Sequence, residues 1–103
     1  MRKFGTTRTG SAFSLDVINA VWNKGNIAPG KDPNVIRKDA CGAYIRRDLY
    51  GDTTENGYGW EIDHIFPVSK GGGDELSNLQ PLQWQNNRAK GDGELQCVIS
   101  TRD

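Results

Sequence analysis

The stretch from Tyr58 to Gly91 most constrains this chain, because it reads as strand, glycine-rich loop, strand and helix in unbroken order. Tyr58 to Ile65 alternates apolar and polar residues, placing Trp60, Ile62 and, by continuation, His64 on one side of a strand. Pro67 ends that strand, since proline cannot donate to a ladder. Lys70 to Asp74 is a glycine-rich loop, and Ser77-Asn78 supplies a turn. Leu79 to Leu82 follows as a second short strand. Trp84 to Lys90 reads as a helix, with Gly91 as its C-terminal cap.

Upstream, Ser14 is placed to cap a helix in which Leu15, Ile18, Val21 and Trp22 recur at helical spacing, and Lys24-Gly25 stops it. Asn26 to Pro33 reads as loop. Val35 to Asp39 and Ala43 to Arg46 read as two strands of a hairpin, turned by Ala40-Cys41-Gly42. A helix through 36–48 competes with the hairpin, and the Ala-Cys-Gly break favours the hairpin. Tyr50 to Gly59 is loop. Residues 1–12, rich in Gly, Thr, Ser and Arg, are expected to be mobile. The 103 residues suffice for one domain of α+β class with a modest core.

Composition excludes several classes. No apolar run reaches the length of a membrane span. Met1 to Gly5 lacks the apolar stretch of a signal peptide, so a cytoplasmic setting is expected. The two cysteines, Cys41 and Cys97, are too few for a zinc ribbon, and in the cytoplasm they are expected as free thiols. Net charge is zero, but it is divided. Residues 1–47 carry nine Lys/Arg against three acids, and residues 48–103 carry four against ten. That division fits either ordinary solvated charge or a basic platform for a polyanion beside an acidic half that attracts cations.

The parts needed for phosphodiester hydrolysis lie within residues 60–90. Attacking water must lose a proton, a task for a histidine, and His64 is the only one. Charge grows on the phosphoryl and leaving oxygens, a task for a divalent cation held by hard oxygen ligands. Asp63 and an amide oxygen of the helix offer such ligands, and Lys90 and Arg88 offer charge for phosphate. Asn87 and Lys90 share a helix face, but so do Asn86 and Lys90, and geometry alone does not choose between the two amides. Asp63 and His64 are adjacent, so a regular strand points them to opposite faces, and it must end, twist or bulge there. Each residue taken singly has an ordinary role: His64 as a hydrogen-bonded structural residue, Asp63 at a strand end, Asn78 in a turn, Asn87 on a polar helix face. Trp60 and Trp84 read as core, and Gly71-Gly72-Gly73 as a flexible loop with no phosphate cradle.

Taken together, the residues resemble the HNH nuclease family. Trp60-Glu-Ile-Asp-His-Ile-Phe-Pro, the glycine loop, Asn78-Leu-Gln-Pro-Leu and Asn87-Arg-Ala-Lys90 follow the family's order, with 14 positions from His64 to Asn78 and 9 from Asn78 to Asn87. This spacing is similar to that in the HNH domains of CRISPR-associated effector nucleases. Arg37 to Ile45 and Tyr50-Gly51 are similar, less specifically, to the leader of some small bacterial HNH proteins. The resemblance implies a small ββα-metal (His-Me finger) core over 58–91, joined by an N-terminal helix and a β-hairpin within a single nuclease domain. It assigns the general base to His64, metal coordination to Asp63 and Asn87, and to Asn78 the tying of the loop that holds His64. It implies an endonuclease leaving 5′-phosphate and 3′-hydroxyl ends.

The third letter of the name-giving pattern is here Asn87, not histidine. With His64 as base, no histidine remains for a metal. An all-oxygen site follows, favouring Mg²⁺ or Mn²⁺, and no structural zinc is expected. DNA is the expected partner. An RNA-directed nuclease or toxin is an alternative, since the site addresses phosphate and not base. A non-catalytic nucleic-acid-binding module is another, although binding needs only Lys and Arg. The sequence leaves oligomeric state and biological role open.

Overall fold

In the computed structural model, which describes residues 3–100, Ser14 opens the first helix. Its hydroxyl accepts from Val17 N at 3.3 Å, and helix α1 runs over Leu15–Trp22. The chain leaves α1 through turns in which Lys24 N and Gly25 N donate to Val21 O and Trp22 O. The buried face of α1, Val21 and Trp22, enters the main core.

A three-stranded antiparallel sheet follows, made of β1 (Asn26–Ile27), β2 (Ile36–Lys38) and β3 (Tyr44–Arg46) in that spatial order. The hairpin β2–β3 is present, and Gly42 takes a left-handed φ of 82° in its turn. Strand β1 lies where the sequence reads as loop. It pairs only through Asn26↔Lys38 and Ile27↔Arg37, too short to carry any periodicity. The Arg37 guanidinium holds it in place by donating to Pro33 O, Gly25 O and Asn23 O.

The second sheet pairs β4 (Trp60–His64) with β5 (Leu79–Gln83), antiparallel and in regular register from Trp60↔Gln83 to His64↔Leu79. Pro81 is tolerated because β5 has one strand neighbour only. Helix α2 (Trp84–Lys90) follows β5 at once, and Gly91 closes it. All five residues of β4 are buried. Trp60 and Ile62 join Phe13, Val21, Trp22, Ile45 and Leu79 in the core, where the Trp60 ring meets Trp22 at 5.3 Å and Tyr50 at 4.9 Å. Glu61 and Asp63, on the alternate face, meet α2. The arrangement is α+β, with a β-β-α unit over 60–90. No helix among the described residues is long and apolar enough to cross a membrane.

The expectation of two free thiols is overturned. Cys41 and Cys97 form a disulfide, their Cα atoms 5.4 Å apart across a sequence separation of 56. Two side chains bring them together. Asp39, 1% exposed, accepts from Cys41 N and Ala43 N through Oδ1, and from Gln83 N and Asn86 Nδ2 through Oδ2. Asn86 in turn pairs with the backbone of Ile99 in both directions, at 2.8 Å each. The hairpin turn is thereby docked on α2, and the returning chain lies beside it. Met1 and Arg2, the start of the segment expected to be mobile, lie outside the described residues. Cys97→Ser is expected to lower stability by on the order of 2–4 kcal/mol, the usual scale for losing a bridge that closes a long loop. Urea unfolding of the oxidised parent and the variant measures this, and equal midpoints would refute it.

Candidate active site

Strand β4 delivers two adjacent polar residues at its end. No bulge is needed, because His64 is its last residue and Ile65 N already donates to Asn78 O in the loop. Asp63 and His64 both line a cavity of about 120 Å³ that wraps around the strand end. Asn87 of α2 lines it too, together with Lys3, Phe4 and Asp92.

The imidazole of His64 is buried, and its Nε2 lies 2.7 Å from Oδ1 of Asp74. A carboxylate only accepts, so Nε2 carries the hydrogen and Nδ1 keeps its lone pair in the neutral ring. The same carboxylate accepts the backbone N–H of Arg8 at 2.9 Å and 3.2 Å. The Phe13 ring stands 6.0 Å from the imidazole on the core side.

Asp74 reaches His64 because the glycine loop folds back on itself. Gly72 N donates to Pro67 O, and a Cβ on Gly72 would sit 1.8 Å from Phe66 O, so only glycine fits. Asn78 ties the loop from inside. Its Oδ1 accepts from Phe66 N at 2.7 Å, and its Nδ2 donates to Phe66 O and Gly73 O.

Asp63 is almost fully enclosed. Its Oδ1 lies 3.2 Å from Lys90 Nζ, and its Oδ2 accepts from Gln80, its cross-strand neighbour, at 3.0 Å. Burial pushes the Asp63 carboxyl pKa upward, outweighing the opposite pull of Gln80, Lys90 and His64. Asn87 donates through Nδ2 to Glu61 at 2.9 Å, which leaves its Oδ1 as an oxygen donor beside the cavity. Asn86 is directed elsewhere, into the buried network with Asp39 and Ile99. An Asp carboxylate and an Asn carbonyl at a small cavity suit a hard divalent cation that keeps water in its other positions. No group of three or more His, Cys, Asp and Glu among the described residues could hold a metal ion. Asp63 and Asn87 offer the cavity one carboxylate and one amide oxygen.

The two cations expected at phosphate are placed differently. Lys90 is 6% exposed and does not line the cavity. Its Nζ donates to His64 O at 3.0 Å and pairs with Asp63, and with its side chain enclosed it points inward, away from an incoming phosphate. Arg88 is more open, but its Nε and Nη2 are engaged with Glu61, and Phe4 covers its guanidinium at 4.5 Å. Sequence reasoning missed Glu61, Asp74 and Gln80. Strand alternation could have found Glu61, two residues before Asp63 on the same face. Nothing local marks Asp74, ten residues from His64 across a glycine loop.

With this geometry in place, the comparison with known families is direct. The HNH endonuclease family model matches residues 41–93, from the hairpin turn through β4, β5 and α2 into the following turn. The chain belongs to the HNH endonuclease family, a class of nucleases that act on nucleic acids and generally use divalent metals. Searches of curated proteins and of solved structures returned no match.

Two measurements test the placements. Lys90→Ala strands the buried Asp63 carboxylate and is expected to cost on the order of 3–5 kcal/mol in urea unfolding. A variant as stable as the parent would remove Lys90 from its inward role. Nitrogen-15 NMR of the single imidazole should show the Nε2–H tautomer in the neutral parent, and a tautomer mixture in Asp74→Ala. A parent dominated by Nδ1–H would contradict the His64–Asp74 contact.

Proposed function

We propose that this protein is an endonuclease that hydrolyses phosphodiester bonds of DNA, with His64 as general base. The observation that carries the reading is the oriented imidazole: Asp74 takes the Nε2 side of His64, beside a cavity that Asp63 and Asn87 also line. In the reaction, His64 Nδ1 accepts a proton from water as the water oxygen bonds to phosphorus. The P–O3′ bond breaks, the 3′-oxygen is protonated from solvent, and the ends are 5′-phosphate and 3′-hydroxyl. Asp74 holds the tautomer and stabilises the imidazolium that forms, the task of the carboxylate in any Asp–His pair. Asp63 and Asn87 would hold the divalent cation, Mg²⁺ or Mn²⁺, which supplies charge stabilisation to the phosphoryl and leaving oxygens.

In this reading Asn78 is a positioning residue that fixes the loop between His64 and Asp74. Lys90 positions Asp63 and the His64 carbonyl. Arg88 keeps Nη1 for phosphate while Glu61 holds the rest of its guanidinium. DNA is preferred to RNA on the resemblance alone, so the assay carries both. A cytoplasmic setting suits the reduced chain. The bridged chain belongs where thiols stay oxidised.

Purified protein is expected to nick plasmid in Mg²⁺ or Mn²⁺ and to stop on addition of EDTA. His64→Ala is expected to lose on the order of a hundredfold or more in rate, the scale of general-base removal. Cleavage undiminished in His64→Ala would overturn the assignment of the base, and cleavage of an RNA strand but no plasmid would overturn the choice of DNA.

A further inference from the structure

We infer that residues 3–8 are a built part of the nucleic-acid site, and that Lys3 is the cation through which the cavity takes a phosphate. The inference rests on the phosphodiester reading of the cavity and concerns a segment outside the family-matched residues, which begin at 41.

The argument starts from charge. The cavity is lined by two carboxylates, Asp63 and Asp92, and by one cation, Lys3. A polyanion approaching it meets repulsion unless a positive group stands at the mouth. Lys90 is enclosed behind Asp63, and Arg88, paired with Glu61, does not line the cavity. Lys3 is exposed, and its Nζ has no partner among the described residues. Among the described residues it is the one cavity-lining cation free to meet phosphate.

The backbone that carries Lys3 is held at several points. Thr6 Oγ1 donates to Lys3 O at 2.6 Å. Gly5, at φ 71°, turns the chain so that its carbonyl accepts from Tyr50 OH at 3.4 Å. The Phe4 ring lies on the Arg88 guanidinium. Arg8 N donates to both oxygens of Asp74, the carboxylate that orients His64. The strap and the base therefore share one anchor. A lysine presented this way, with little backbone freedom left to lose, is suited to a persistent phosphate contact.

The test measures binding of a short fluorescent DNA duplex across a range of NaCl concentrations in EDTA, with plasmid cleavage in Mg²⁺ run in parallel. It uses the full chain, Lys3→Ala, Lys3→Arg, and Lys31→Ala as an exposed control. Lys3→Ala is expected to reduce the slope of log K against log salt by about 0.9, one phosphate contact, while Lys3→Arg restores it and Lys31→Ala leaves it as in the parent. A parent slope retained in Lys3→Ala overturns the inference, as does an equal loss in Lys31→Ala. A parent that cleaves plasmid with an unchanged Lys3→Ala slope keeps the nuclease reading and sinks this one. A parent that binds through Lys3 but cleaves nothing does the reverse.

Discussion

A strand buried on both faces must find a partner for every charge it carries, because an unpaired buried charge is among the costliest features a fold can contain. β4 is such a strand. Its apolar face closes the core around Trp60 and Ile62, and its other face sets Glu61 and Asp63 against α2. The helix answers with Asn87 and Arg88 at Glu61, and Lys90 at Asp63. Helix position and strand charge are thus mutually determined. The cavity lies where this match stops, at the last residue of β4, and the groups around it inherit the order of the strand.

The electrostatic consequence is a division between inward and outward charge. Lys90 makes the buried Asp63 tolerable, and Gln80 satisfies the carboxylate's second oxygen. The imidazole is fixed from the opposite side by Asp74, which the glycine loop carries back over Phe66 and Pro67. Positive charge that lines the cavity and faces solvent comes, among the described residues, from another part of the chain altogether, the strap that carries Lys3.

Much of this was legible in the sequence where a local cause was sufficient. Ser14 capping α1, the alternation through β4, and Gly91 after α2 each act within a few residues, and the elements formed where those signals stood. The hairpin over 36–46 was legible through its glycine turn. β1 was not, because two residues become a strand only by lying against Arg37 and Lys38. The association of Asp63, His64 and Asn87 was legible through the family resemblance, while helix geometry left Asn86 and Asn87 open, and the Asp39 network is what draws Asn86 away from the cavity. Asp74 and Lys3 were hidden for a common reason. Each reaches the cavity by a tertiary contact, Asp74 through a folded-back loop and Lys3 through a strap anchored on that same aspartate.

The bridge between Cys41 and Cys97 encloses β3, β4, β5 and α2 in one covalent ring. The exposed loop at 53–56 lies inside that ring. A protease that cuts there opens the ring without releasing a fragment, because both new ends stay attached through the sulfurs. The cut halves of the cavity would remain one molecule until a reductant separated them, so damage to the backbone and loss of the assembled cavity become two separate events.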